Sequence, residues 1–386
     1  MKKVRSTDAR RHSTRTKNAV NRPPARWVLL VMMAGCGAPD EAANGGAVDP
    51  IGDAAIAGDL GPLADGMSDD GSDARSADAT FGDHGAVDAG LVDARPPSGL
   101  PFIPGPPAGT FDCSAEPGAY RRRASSPMGC VLDTTCPTPL VVGHRGAGGQ
   151  FSMVAPENSM AGLRAAALMG LDGVELDVRH TADDALVVLH DTTVDRTTFG
   201  VGRADEMTLD EVTALALRPE GHPDLTGDFS CERVPTLAEA FEFVRGRFFV
   251  DLDVKTDRVE LVVDAIVAAD LIDQVFFSTG DVERARAARL LEPRLRIQIR
   301  PDTVEAYAAA MARFDRPPEV VEIPPTQIDA LAADIHANGQ RVFVDVFGFD
   351  AQALVTGEPE YGSLYERGAD ILQSEFPHLV LQSLGR

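Results

Sequence analysis

From about residue 111 onward, short runs of Val, Ile, Leu and Phe alternate with Ala-rich stretches whose apolar residues recur at helical spacing. The runs at 140–145, 172–178, 248–254, 275–279, 295–300, 319–323, 341–346 and 369–374 predict strands. Helical patterns fall between them at 158–169, 236–245, 257–269, 281–291, 303–314 and 327–338. Such alternation predicts a parallel sheet, because parallel neighbours need a crossover long enough to hold a helix. Eight strand candidates in about 275 residues predict a (β/α)8 TIM barrel. An open doubly wound sheet is the rival, but Gly143-x2-Gly146-x-Gly148-Gly149 after the first strand lacks the G-x-G-x-x-G spacing of a dinucleotide loop. Residues 174–191 break the alternation: with Asp183-Asp184 as a tight turn, 174–182 fold against 185–191 as a hairpin extension after strand 2. That pairing would bring Asp177 close to His190.

The first 110 residues carry another pattern. Residues 1–26 are basic, and the apolar run Trp27–Gly35 that follows ends at Cys36. The run is far shorter than the ~20 residues of a membrane-spanning helix. Residues 1–36 therefore read as an export signal, a basic tail beside a stray apolar patch being the plainer alternative. Met33-Ala34-Gly35-Cys36 resembles a bacterial lipobox, which implies a lipidated Cys36 and a membrane contact through an N-terminal lipid anchor. Residues 37–110, dominated by Ala, Gly, Asp and Pro, offer little apolar surface to offset ordering entropy and read as a disordered linker. The folded domain is expected over 111–386.

Composition narrows the function. An apolar fraction of 44% suffices for a large core, and a formal net charge of −23 argues against nucleic acid as a partner. Beyond Cys36 the cysteines are Cys113, Cys130, Cys136 and Cys231; in an exported chain they predict two disulfides, with three pairings open. The Cys130-x5-Cys136 spacing is wrong for a common structural zinc site.

The polar residues at the C-terminal ends of the first strands are concentrated: Gly143-His144-Arg145-Gly146, Glu175-Leu176-Asp177, His190-Asp191, and Asp251-Leu252-Asp253-Val254-Lys255. Period-two spacing puts Glu175 and Asp177 on one face, and likewise Asp251, Asp253 and Lys255. Carboxylates converging on one barrel mouth call for a cation, and hard oxygen ligands suit Ca²⁺ or Mg²⁺ better than Zn²⁺. For any single pair, an ordinary solvated loop is a sufficient explanation. Four clusters on consecutive elements point to function.

His144-Arg145-Gly146, Pro156-Glu157-Asn158-Ser159, Glu175-Leu176-Asp177-Val178, His190-Asp191 with Asp195-Arg196-Thr197-Thr198, and Val234-Pro235-Thr236-Leu237 together resemble the ordered motifs of glycerophosphodiester phosphodiesterases. The resemblance covers about residues 140–380. It implies a Ca²⁺- or Mg²⁺-dependent barrel that cleaves small-molecule glycerophosphodiesters into glycerol 3-phosphate and an alcohol. By position it implies His144 and His190 as the acid–base pair, Glu175, Asp177 and Asp253 as metal ligands, and Arg145 and Lys255 as phosphate-binding residues. Asp253 stands where the family commonly has Glu. Glu157, Asn158 and Asp191 are supporting residues, Asn158 as a helix cap and Glu157 as a brace for the metal site. Two departures bear on substrate: Asp345 lies in a strand that often contains Trp-Thr, and Glu375 stands where Asp is usual. Asp345 is expected to contact a substrate hydroxyl or to pair with a neighbouring cation. His180, His222 and His336 belong to no motif and are expected in loops or on the surface. Two rivals stay open, a phospholipase-like barrel acting on another phosphodiester lipid and a catalytically inactive surface binding module.

Overall fold

The computed structural model of the chain describes residues 112–113, 128–150, 152, 154–219, 225, 227–356 and 360–386. The expectations for residues 1–110, Cys36 included, and for His222 lie outside the described residues. Every strand run of the sequence forms a strand: β1 (Leu140–Gly143), β2 (Gly173–His180), β4 (Phe249–Val254), β5 (Val275–Thr279), β6 (Arg296–Ile299), β7 (Val320–Glu322), β8 (Arg341–Asp345) and β9 (Ile371–Ser374). All pair in parallel with their neighbours, and β1 pairs with both β2 and β9, so the sheet closes into an eight-stranded barrel. The six predicted helical stretches form Met160–Met169, Leu237–Val244, Val259–Ala268, Val282–Leu291, Val304–Met311 and Ile328–Ala337. Among the described residues no helix is long and apolar enough to cross a membrane.

The predicted hairpin is present. β3 (Leu186–Val188) runs antiparallel to β2 with Val178 opposite Val188, and Leu189 N donates to Asp177 O at 3.0 Å. β1 explains the room for it. β1 ends at Gly143, which pairs with Val174, and leaves the upper half of β2 open on that side. The segment after β3 has its own apolar cluster, in which Val194, Val212 and Leu217 pack on Val187 and Leu189.

Strand β4 shows how the barrel turns from core to site. Val250, Leu252 and Val254 face outward into the layer shared with the helices. Phe249 belongs to a separate interior cluster with Phe276, Phe343, Val142 and Val131, the last from the helix Met128–Leu132. Asp251 and Asp253 follow Phe249 at period two, so one strand face passes from an apolar floor to acidic groups within a few residues. Gly173 fits the floor for a steric reason: a Cβ there would lie 2.5 Å from the Phe249 ring.

Of the three possible cysteine pairings, the protein has Cys113–Cys231 and Cys130–Cys136. The second closes a short loop on the floor side, where the buried Arg341 guanidinium donates to Asp133 O and Cys136 O at 3.1 and 3.3 Å.

Candidate active site

The loop after β1 places His144 and Arg145. His144 is buried, with Nδ1 2.7 Å from Glu375 Oε1 and Nε2 3.8 Å from Glu175 Oε2. Phe347 covers the ring, with centroids 4.6 Å apart. Glu375 Oε2 also accepts from Gly149 N at 2.7 Å. Gly149 must lack a side chain, because a Cβ would come within 2.5 Å of His144 Nδ1. Burial pushes the Glu375 carboxyl up, but the adjacent His144 and Arg145 hold it below the usual glutamate value. An ionised Glu375 fixes the Nδ1–H tautomer of His144 and leaves Nε2 to exchange a proton. Glu375 thus has a defined task that the sequence marked only as a departure. Behind it, buried Asp350 accepts from Glu375 N at 2.8 Å, Ser374 Oγ at 2.7 Å and Tyr361 Oη at 2.6 Å, fixing the strand end.

His190 is built in parallel. Its Nδ1 lies 2.7 Å from Asp191 Oδ1, and Asp191 accepts from Arg196 Nε at 2.7 Å. Burial pushes the Asp191 carboxyl up, but hydrogen bonds from His190 and Arg196 bring it well below the usual aspartate range. Arg196 donates twice to Glu157 at 2.8 Å, and Glu157 Oε1 accepts from Arg145 Nη1 at 2.9 Å. A continuous charged chain therefore runs from His190 to Arg145. Glu157 braces the two arginines rather than the acidic cluster. Arg196 is the link that sequence reasoning quoted within a motif without giving it a task.

Asn158 corrects the expectation of a cap. Ser159 is the N-cap of Met160–Met169, its side chain accepting from Gly162 N. Asn158 instead sits at φ +50°, a region Asn tolerates better than most residues. From there its Nδ2 donates to Asp177 Oδ2 at 2.8 Å and its Oδ1 accepts from Asp177 N at 3.3 Å. The side chain clamps a candidate ligand.

Glu175, Asp177 and Asp253 each present an oxygen within 4.8 Å of the others, and all three are buried. The strand register explains it, with Glu175 beside Asp251 and Asp177 beside Asp253. Burial, then the charges of Asp177, Asp253 and Asp251, push the Glu175 carboxyl well above its ordinary value. Asp251 rises to about 8, through burial and the charge of Glu322. This excess of buried negative charge fits a hard cation among oxygen ligands. Lys255 Nζ lies 2.8 Å from Asp253 Oδ2 and 3.7 Å from Asp177 Oδ1, at the rim of the same cluster.

His144, Arg145, Glu175, Asp177, His190, Asp253 and Lys255 all line one small cleft of about 90 Å³. A larger cavity, about 690 Å³, lies beside the Cys113–Cys231 disulfide and holds none of them. The far side of the cleft carries Arg300, Glu322 and Asp345, which the motifs did not assign. Asp345 lines the cleft beside Glu322, and burial together with that neighbour's charge raises its carboxyl well above the usual aspartate range. His180 lies in β2 with Nδ1 2.6 Å from Thr256 Oγ1, and His336 lies in a helix with Nε2 2.9 Å from Asp370 Oδ2; both are half-buried, not loop or fully exposed groups.

Because Glu375 acts on His144 without lining the reaction zone, Glu375→Gln is expected to lower kcat about 10–100-fold with little change in KM. Steady-state kinetics with an unchanged unfolding midpoint check this; a KM effect alone would contradict the positioning task.

Comparison with known proteins bears on the fold and the family. A phosphodiesterase from Oleispira antarctica, solved with its product sn-glycerol-3-phosphate, superposes with a TM-score of 0.53 at 25% identity, covering 64% of this chain and 97% of that one. A glycerophosphoryl diester phosphodiesterase from Parabacteroides distasonis superposes at 0.57 and 22% identity over 67% of this chain and 91% of that one, a likeness of fold. In sequence, the chain is 33% identical over 201 residues to a glycerophosphodiester phosphodiesterase of Caldanaerobacter subterraneus, covering 47% of this chain and 79% of that protein. It is 44% identical over 115 residues to glycerophosphodiester phosphodiesterase 1 of Mus musculus, spanning 30% of this chain and only 33% of that relative. Residues 144–353, which hold the histidine pair, the acidic cluster and the cations, match the model of the glycerophosphoryl diester phosphodiesterase family, and the chain belongs to that family.

Proposed function

We propose that the protein hydrolyses small glycerophosphodiesters to glycerol 3-phosphate and an alcohol, using Ca²⁺ or Mg²⁺ held by Glu175, Asp177 and Asp253. The observation that carries this reading is the pair of histidines, each with Nδ1 on its own carboxylate, beside one buried acidic cluster and two fixed cations. When bound, the divalent ion neutralises charge on the phosphodiester. His144 and His190 divide the proton transfers, one accepting from the nucleophile and the other donating to the departing alkoxide. Carboxylate partners at Nδ1 keep both rings in the tautomer that exchanges protons at Nε2. Arg145 and Lys255 hold the phosphate as fixed cations that need no rearrangement as charge develops. Arg145 is held for this by Glu157 and by Asp177, 3.5 Å from its Nε.

Glycerophosphocholine identifies the bond cleaved. Glycerol 3-phosphate with free choline is the expected product pair; phosphocholine with glycerol would favour a different phosphodiester chemistry. The export reading of residues 1–36 is supported by two disulfides, which persist in oxidising compartments. Recovery of Cys36→Ala in the membrane fraction at the wild-type level would remove the lipid-anchor expectation.

A further inference from the structure

Asp253 meets two fixed cations at once, and only one of them comes from the motif side. Its Oδ2 faces Lys255 Nζ at 2.8 Å, while its Oδ1 lies 2.5 Å from Arg300 Nη2, just past the end of β6, two strands away in the barrel. With a cation on each oxygen, Asp253 receives a metal ion only against the charge of both unless one of them yields. Arg300 has somewhere to go. Its Nε lies 3.3 Å from Glu322 Oε2, a second carboxylate outside the Glu175–Asp177–Asp253 cluster. Glu322 is fixed there by Gln298 Nε2 at 3.0 Å. Glu175 and Asp177 take their short hydrogen bonds from Arg145 N and Asn158 Nδ2, with the cations near Asp177 no closer than 3.5 Å.

Resting on the metal reading above, we infer that Arg300 is a resident competing cation that sets divalent-ion affinity, pairing with Asp253 and drawn to Glu322 when Asp253 takes an ion. Repulsion scales with the product of the charges, so a guanidinium beside Asp253 opposes a divalent ion twice as strongly as a monovalent one. Asp253 also exchanges one partner for another rather than starting free, which lowers the net gain of binding. Arg300 acts on the metal through Asp253 and is a positioning residue.

Isothermal titration of Ca²⁺ and Mg²⁺ into the full chain tests this without any turnover. Arg300→Gln is expected to tighten binding about tenfold or more, and Arg300→Lys, shorter but charged, by less. Glu322→Gln removes that second carboxylate and should weaken binding about tenfold, with little effect once Arg300→Gln is already present. That non-additivity separates a moving guanidinium from simple loss of negative charge, which would weaken both backgrounds alike. Unfolding midpoints confirm that each variant is folded, and Arg300→Lys carries the test if Arg300→Gln does not fold. Wild type that binds an ion while Arg300→Gln binds it equally or more weakly overturns the role of Arg300 alone. Absence of binding in every protein overturns this inference together with the metal site.

Discussion

His144→Ala should lower kcat by about a hundred- to ten-thousand-fold, the range lost when a positioned acid–base group is removed. The effect belongs on kcat because His144 does its work as protons move. The phosphate-holding cations Arg145 and Lys255 stay in place, so KM should change far less. The variant also takes the His144 partner from the buried Glu375 carboxylate, so some loss of stability accompanies it. Partial rescue by added imidazole, together with a folded far-ultraviolet spectrum, separates lost chemistry from lost structure. Turnover within threefold of wild type would remove His144 from the acid–base pair.

Asp177→Asn is the second large effect. The substitution keeps shape and removes one charge from a buried position clamped by Asn158 and facing Lys255 and Arg145. Burial pushes the Asp177 carboxyl up, but His190, Lys255 and Arg145 hold it below the ordinary aspartate value, so it is the charged form that the site is built around. Loss of that charge should weaken divalent-ion binding roughly a hundredfold and lower turnover at saturating metal by about a thousandfold. Calorimetry and initial rates measure the two separately. Unaltered affinity with lost turnover would place the ion elsewhere and leave Asp177 as a support for Arg145 and Lys255.

The barrel was legible because period two in the strands and the helical period between them survive in a single sequence, and each strand run reappears within a residue or two. The same periodicity placed Glu175, Asp177 and Asp253 on inward faces, and strand register then made them neighbours. Contacts made across the barrel were not legible. Glu375 meets His144 from 231 residues away, and no local pattern announces the pair. Arg300, Glu322 and Asp345 come together because β6, β7 and β8 lie side by side, which no local pattern announces. Arg196 does carry a signal in the sequence: an Arg in the motif after His190-Asp191 needs a carboxylate, and Glu157 and Asp191 both lie in motifs. A residue just before a helix is often its cap, whereas here the capping task falls to Ser159 and frees Asn158 to hold Asp177.

If these residues form a metal-dependent glycerophosphodiesterase, turnover follows the ion, and one rate measurement decides it. The full chain is treated with EDTA, assayed for release of glycerol 3-phosphate from glycerophosphocholine, and assayed again after Ca²⁺ or Mg²⁺ is restored. Release abolished by EDTA and recovered with one of these ions is the predicted result. Release that persists undiminished in metal-free protein would contradict the account.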